Sequence, residues 1–233
     1  MNKIVCFEDL GLIDYKDCWD YQTLLFEKIL KVKSQNRKEN KSILTKNHLI
    51  FCEHPNVYTL GKSGNEKNLL VKNSYLKKEN IKYYKINRGG DITYHGPGQI
   101  VGYPIIDLEN FFKDIHKYLR LLEEAVILTL KEYGLNGERS DRETGVWFDV
   151  GSPNARKICA LGVKSSRWVC MHGFAFNINT DLTYFEGIVP CGILDKQVTS
   201  LRKELNKEVD IVDVKKKLKT HIVNLFEMEL ISS

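Results

Sequence analysis

The clearest pattern along the chain is a stripe of hydrophobic residues at helical spacing near its middle. Between residues 110 and 133 they recur every three or four positions, and Gly134 follows the last of them. Such spacing forms one apolar face of an α-helix, and a glycine commonly ends one. The pattern therefore predicts a helix over 110–133 that packs on the core. The stripe comprises Phe111, Ile115, Tyr118, Leu119, Leu122, Val126, Leu130 and Tyr133.

Two other segments have the same spacing, one near each end of the chain. Residues 15–32 follow Asp14, a residue type that favours a helix start, and the polar stretch 33–46 indicates a loop or a helix end. A lysine-rich segment over 210–226 begins with Asp210, which can cap a last helix. The expected inward positions are Trp19, Leu24, Leu25, Ile29 and Val32 in the first segment, and Val214, Leu218, Ile222 and Leu225 in the last.

Short β-prone segments separated by Gly, Pro, Asn and Asp fill most of the remaining chain. They are residues 49–52, 81–86, 100–106, 145–150, 158–163, 168–178 and 192–199. Strands in groups with a few helices, and no regular alternation of strand and helix, are typical of an α+β fold. We expect one domain over 1–233, with a largely antiparallel or mixed sheet flanked by helices.

Composition excludes several functional classes. The longest apolar run, near residues 125–130, is far shorter than a bilayer-spanning helix, so we expect no membrane association. The first twelve residues contain Glu8 and Asp9 and lack the pattern of a signal peptide, which predicts a cytoplasmic protein.

The net charge of +5 comes from 35 basic and 30 acidic residues that are interleaved. This mild bias argues against nucleic-acid binding but would attract an acidic protein partner.

The six cysteines do not form a recognisable metal or disulfide framework. No C-x-x-C pair occurs among them, so we expect free thiols and no metal. Cys52 with His54, and Cys170 with His172, are adjacent pairs that alone do not make a metal site.

The densest turn chemistry lies in residues 88–99, RGGDITYHGPGQ. Glycines let a backbone approach a ligand closely, although a tight hairpin would have the same composition. The segment is not a dinucleotide fingerprint, and Gly61-Lys62-Ser63 is not a phosphate-binding loop because Asn56 stands where its first glycine is required. Several polar side chains within a strand-like stretch favour a binding wall.

This segment is one of a series of distinctive strings over about residues 9–201. They are DLGLIDY (9–15) with Trp19 and Gln22, EHPNVYTLG (53–61), RGGDITYHGPGQ (88–99), YP (103–104), GVW (145–147), KICALG (157–162), HG (172–173) with Asn177, and IVPCGI (188–193). In content and order, the series resembles the lipoyl(octanoyl) transferase family of lipoate biosynthesis.

The resemblance implies an α+β fold with a curved sheet, similar to the catalytic domains of biotin and lipoate protein ligases. It implies that Cys191 accepts the acyl group and that Lys157 activates it, with no cofactor. The donor would be octanoyl-acyl carrier protein. The acceptors would be lysines of lipoyl domains in 2-oxoacid dehydrogenase complexes and of the glycine cleavage H protein. Independently of the resemblance, we expect a monomer. The implied acyl-binding residues are Arg88, Gly89, Gly90, Asp91, Ile92, Thr93, Tyr94, His95, Ala160, Leu161, Gly162, Gly173, Phe174 and Ala175.

The chemistry of these residue types suits acyl transfer. A thiolate attacks a thioester readily and leaves readily, but a free Cys is largely protonated at neutral pH. Lys157 would act either as an ammonium that stabilises the Cys191 thiolate or as a neutral amine that takes its proton. The sequence Pro190-Cys191-Gly192 favours a turn, from which we expect the thiol to face a pocket, whereas a free Cys is otherwise commonly a buried small hydrophobe.

Some alternatives stay open at this level. Cys159 lies two residues from Lys157, so in a regular strand both side chains share a face, and Cys170 is a further competing thiol. His95 either donates to the acyl carbonyl or braces its loop, and His172 is expected to brace its own turn. The competing functions are an ATP-dependent lipoate ligase of the same fold and a non-catalytic acyl-binding or carrier-binding module.

Overall fold

The fold is built on a large mixed sheet. The computed structural model describes residues 1–141, 143–189 and 197–232, and the main sheet of these residues has nine strands. The strands are β1 (Ile4–Leu12), β2 (Asn47–Glu53), β6 (Gln99–Ile105), β7 (Glu138–Arg139), β8 (Gly145–Phe148), β9 (Arg156–Ser166), β10 (Val169–Asn177), β11 (Gln197–Val198) and β12 (Glu229–Ser232). Their order in the sheet is β12-β1-β2-β6-β10-β9-β8-β7, with β11 beside β9. The pairs β1–β2, β1–β12 and β9–β11 are parallel, and the other pairs of this sheet are antiparallel.

A second sheet of three strands, in the order β4-β3-β5, accompanies the main one among the described residues. Its strands are β3 (Val57–Leu60), β4 (Lys82–Lys85) and β5 (Ile92–His95). The helices are α1 (Tyr15–Glu39), α2 (Asn73–Lys78), α3 (Ile115–Lys131), α4 (Leu201–Leu205) and α5 (Ile211–Phe226). No helix within the described part of the chain combines the length and hydrophobicity that crossing a bilayer requires.

Both faces of the main sheet are covered. Successive side chains of a strand point to opposite faces. In β2, Leu49 and Phe51 pack with α3 and α5, whereas Ile50 and Cys52 pack with α1. Helices on both faces of a mixed sheet agree with the predicted α+β class.

Helices α1 and α3 each differ from the prediction at one end. Helix α3 begins at Ile115, five residues later than expected, because the Asp114 carboxylate accepts from the Lys117 backbone N–H and caps it. Helix α1 continues beyond residue 32 to Glu39, where Asn40 in the left-handed conformation ends it. The extension is largely polar, so the hydrophobic pattern did not mark it.

The last helix was predicted closely. Asp210 caps α5 by accepting from the Val212 N–H, and Val214, Leu218 and Ile222 are fully buried. Strand β9 is longer than the predicted 158–163, whereas β10 closely matches the predicted 168–178, and the two form one hairpin. The predicted strand over 192–199 lies largely outside the described residues, which resume at β11.

Candidate functional site

The loop that follows Arg88 is held between the small and the main sheet. On one side, the Lys62 N–H donates to the Arg88 carbonyl at 2.9 Å and the Gly61 N–H to the Asp91 carbonyl at 3.2 Å. On the other side, the Gly89 N–H donates to the Val163 carbonyl of β9 at 2.9 Å. Three sequence motifs distant along the chain therefore meet at one loop.

Close approach of these segments explains the glycines in two of the motifs. A Cβ at Gly61 would lie 2.2 Å from the Gly90 carbonyl oxygen, and one at Gly162 would lie 2.8 Å from the Gly89 carbonyl oxygen. Both distances are shorter than carbon and oxygen tolerate. Any larger residue would push the loop out of place.

Under this loop lies a cavity of about 610 Å³, within the usual size of small-molecule pockets. Every residue implied to bind the acyl chain lines it except Tyr94, and Lys157 lines it too. The cavity thus brings the predicted segments together, while their role in binding remains a prediction. Its apolar wall includes Leu119, Ile158, Leu161, Phe174, Phe185 and Val198.

Tyr94 does not face the cavity. Its hydroxyl donates to Asn56 Oδ1 at 2.8 Å, and its ring stacks on Tyr184 at 5.0 Å between centroids. Side chains alternate along β5, so Thr93 and His95 reach the cavity while Tyr94 packs in the small-sheet core.

Lys157 reaches the cavity from the start of β9. Its Nζ lies 3.7 Å from Glu143 Oε2 and 4.4 Å from the centre of the Trp147 ring. Both a carboxylate and an aromatic face favour a charged ammonium. Gly145 makes room for it, since a Cβ there would lie 3.3 Å from Lys157 Cε.

Cys159 does not face the cavity as Lys157 does, contrary to the expectation for a regular strand. A bulge shifts the register of β8 and β9, so that Val146 pairs with Cys159 but Trp147 pairs with Lys157. Cys159 is consequently fully buried in the main core, and burial raises the pKa of its thiol. A protonated thiol in the core is a poor nucleophile.

Cys170 resembles Cys159 in its burial. Cys170 is also fully buried, and burial raises the pKa of its thiol to about 12. Neither Cys159 nor Cys170 lines the cavity. Cys191 lies outside the described residues, in the segment 190–196.

A chain of hydrogen bonds fixes the proton on His95. The Asn177 Nδ2 donates to the Thr199 carbonyl at 3.0 Å, so Asn177 Oδ1 accepts from Gln99 Nε2 at 2.9 Å. The same Gln99 nitrogen lies 3.2 Å from the Tyr94 carbonyl. Gln99 Oε1 is therefore an acceptor, and His95 Nδ1 donates to it at 2.8 Å.

His95 consequently braces the loop. Burial, together with the charges of His54 and Arg88, lowers the pKa of His95 to about 3, so the ring is neutral. A neutral ring with its proton on Nδ1 has only a lone pair on Nε2, which lies 3.4 Å from Thr59 Oγ1. It cannot donate to an acyl carbonyl from that nitrogen.

His172 also serves as a brace. Its φ of 61° is unusual for a non-glycine residue, and its N–H donates to Gln22 Oε1 at 3.3 Å. Its Nε2 lies 2.9 Å from Asn87 Oδ1, and burial lowers the pKa of the ring to about 3.

Several cavity residues were not among the predicted site residues. Tyr15, Gln99, Tyr103 and Asn177 belong to the recognised strings, so the strings already contained the signal for them. Glu143 had no such signal because only the fold brings it beside Lys157.

Comparison with known proteins agrees with the geometry. Residues 14–223 match the model of the lipoyl protein ligase A/B catalytic domain. An octanoyltransferase of Christiangramia forsetii is 62% identical over 231 residues, covering 99% of both chains, and one of Flavobacterium johnsoniae is 61% identical over 99% of this chain and 100% of its own.

Among solved structures, a bipartite lipoate protein ligase of Thermoplasma acidophilum superposes with a TM-score of 0.70. The match covers 100% of this chain and 86% of the ligase at 17% identity, which establishes the shared fold. The family match and the close relatives go further than the fold. The chain belongs to the lipoyl protein ligase A/B catalytic domain family and, within it, to the octanoyltransferases.

Proposed function

We propose that this octanoyltransferase carries the acyl group as a thioester on Cys191 and that Lys157 moves the protons of both half-reactions. The observation that carries the proposal is the place of Lys157, which lines the cavity that the recognised motifs surround. The two competing thiols, Cys159 and Cys170, are buried away from this cavity.

The chain that follows Cys191 supports the pairing with Lys157. Val198 lines the cavity and pairs with Lys157 in the parallel register of β11 and β9. The next residue, Thr199, donates its N–H to the Lys157 carbonyl at 2.9 Å. The segment that contains Cys191 therefore returns to the described structure directly beside the catalytic lysine.

In the first half-reaction, the Lys157 ammonium stabilises the Cys191 thiolate, which attacks the carbonyl of the octanoyl thioester. The new bond joins Cys191 sulfur to the acyl carbon, and the bond to the carrier's sulfur breaks. The departing carrier thiolate takes a proton from Lys157. The Glu143 carboxylate and the Trp147 ring lie beside the lysine nitrogen.

In the second half-reaction, the substrate lysine attacks the acyl-enzyme as a neutral amine. An amide forms, the bond to Cys191 breaks, and neutral Lys157 takes the proton that the amine loses. The products are an octanoylated lysine, the Cys191 thiolate and the Lys157 ammonium, so the enzyme returns to its starting state.

The donor is proposed to be octanoyl-acyl carrier protein. The acceptors are proposed to be lipoyl domains of 2-oxoacid dehydrogenase complexes and the glycine cleavage H protein. Lipoyl groups would transfer by the same steps. A cytoplasmic location and a monomeric state remain predictions from the sequence.

The proposed function is tested by measuring octanoyl transfer to a lipoyl domain in the absence of any nucleotide. Purified protein, octanoyl-acyl carrier protein and a lipoyl domain are mixed without ATP, and the mass of the lipoyl domain is followed. We expect one octanoyl group on its lysine. Transfer only from free octanoate with ATP would identify a ligase, and binding of the carrier without any transfer would identify a binding module.

The role of Lys157 is tested with two substitutions on the same strand. Lys157→Met should lower the transfer rate by about 10²–10⁴-fold, the usual contribution of a proton-transfer group. Lys164→Met is the matched control, because Lys164 also lies over an aromatic ring, that of Phe26, but outside the cavity. Equal rates for the two variants would refute the assignment.

A further inference from the structure

A buried cluster of metal-binding side chains lies behind the cavity wall. Cys18 is on the first turns of α1, Cys52 is on β2 and His54 follows that strand. All three are fully buried, and their ligand atoms lie within 4.8 Å of one another. The spacing of cysteines and histidines along the sequence did not reveal this cluster, because Cys18 is far in sequence from Cys52 and His54.

His54 is oriented as metal-binding histidines are. Its Nδ1 lies 2.8 Å from the Ile13 carbonyl, which can only accept, so Nδ1 carries the proton. The lone pair is then on Nε2, which lies 3.5 Å from Cys52 Sγ. A backbone carbonyl bound to the remote ring nitrogen is the common support of a zinc-binding histidine.

Cys18 has a comparable support. The Gln22 amide oxygen accepts from the His172 backbone N–H, which turns the amide nitrogen towards Cys18. That nitrogen lies 3.8 Å from Cys18 Sγ. An N–H donor of this kind stabilises a thiolate, the form in which cysteine binds metal.

The distances suit zinc. With Zn–S of about 2.3 Å and Zn–N of about 2.0–2.1 Å, tetrahedral geometry separates sulfur from nitrogen by about 3.5 Å. The separation of Cys52 Sγ and His54 Nε2 agrees. Two thiolates, a neutral imidazole and Zn²⁺ sum to zero charge, which burial favours, whereas a monovalent ion would leave a buried negative charge.

We propose that Cys18, Cys52 and His54 bind one Zn²⁺, which ties α1 to the sheet beneath the cavity. Binding releases the two thiol protons. On β6, the Tyr103 hydroxyl donates to the His54 Nε2 lone pair at 2.8 Å. The zinc ion would replace this hydrogen bond, and the Tyr103 oxygen would lie next to the fourth coordination position. The site is structural, because the cluster packs behind Tyr15 and Tyr103, which line the cavity.

The test uses untagged full-length protein with Cys191→Ser, which removes the proposed nucleophile as a metal ligand. Since the ligands are buried, the protein is produced in medium containing Zn²⁺ or Co²⁺, so that metal is present while the chain folds. We expect one equivalent of zinc per chain after gel filtration. The cobalt form should show thiolate-to-cobalt charge-transfer absorption and the visible bands of a tetrahedral ion.

Substitutions locate the site. Cys18→Ser and Cys52→Ser should each lower the bound zinc at least tenfold, and Gln22→Leu should weaken affinity by about 10–100-fold. Cys170→Ser, at another fully buried thiol, should leave zinc binding unchanged. The proposal is overturned if the protein contains clearly less than one zinc per chain, or if the cobalt form lacks thiolate charge-transfer bands. It is also overturned if the zinc content is unchanged in both Cys18→Ser and Cys52→Ser, or if Cys18 and Cys52 form a disulfide. If a cluster variant fails to fold, the cobalt spectrum of the Cys191→Ser protein alone tests the proposal.

Discussion

The size of the side chain at residue 174 should set the acyl-chain preference. Phe174 lines the cavity, and its ring packs edge-on against Phe51 at 6.1 Å between centroids. Replacing it with alanine opens space at the apolar wall. We expect Phe174→Ala to favour decanoyl over octanoyl donors.

The magnitude follows from the burial of methylene groups. Each buried methylene contributes about 0.8 kcal/mol, so two contribute about 1.6 kcal/mol. This corresponds to about a fifteenfold change in the ratio of the two kcat/KM values. Truncation also costs about 3–5 kcal/mol of stability, so Phe174→Leu serves as a milder variant with a smaller shift in the same direction.

The assay is a competition between octanoyl-acyl and decanoyl-acyl carrier protein in one tube, with products separated by mass on the lipoyl domain. The product ratio gives relative kcat/KM regardless of the fraction of folded enzyme. Phe176→Ala is the matched control, because Phe176 is on the same strand and fully buried but does not line the cavity. An unchanged ratio in Phe174→Ala, or an equal shift in Phe176→Ala, would refute the assignment of Phe174 to the tail wall.

Two further predictions concern pH and salt. Burial lowers the pKa of His95 and of His172 from an ordinary value of 6.5 to about 3. The unfolded chain therefore binds more protons below pH 6.5, and stability should fall by up to about 3 kcal/mol per pH unit on acidification. Urea midpoints that stay constant between pH 7 and 5 would contradict this. Since the chain carries a net charge of +5, the KM for an acidic carrier protein should rise with salt, and a constant KM would contradict electrostatic docking.

The elements predicted best are those whose signal lies within the element itself. Helix α5 has both its cap at Asp210 and its buried stripe in one continuous segment. The start of α3 was misplaced because Phe111 and Phe112, in the turn that follows a short 3-10 helix (Leu108–Asn110), continue the hydrophobic pattern and pack on the same core. Hydrophobic spacing cannot distinguish such a turn from a helix.

The sequence strings name the segments that meet at the cavity, whereas the direction of individual side chains depends on strand pairing and tertiary packing. Tyr94 belongs to the recognised string, but strand alternation turns it away from the cavity. Cys159 is separated from Lys157 by a bulge that depends on pairing between β8 and β9. The contact of Glu143 with Lys157 and the convergence of Cys18 on Cys52 likewise arise only from tertiary packing.

The most direct test of the account is the intact mass of the protein after exposure to octanoyl-acyl carrier protein without an acceptor. The parent should gain the mass of one octanoyl group, and so should Cys159→Ala and Cys170→Ala. Cys191→Ala should gain none, and Lys157→Met should gain it far more slowly. An adduct that persists in Cys191→Ala but is lost in Cys159→Ala would contradict the assignment of the acyl group to Cys191.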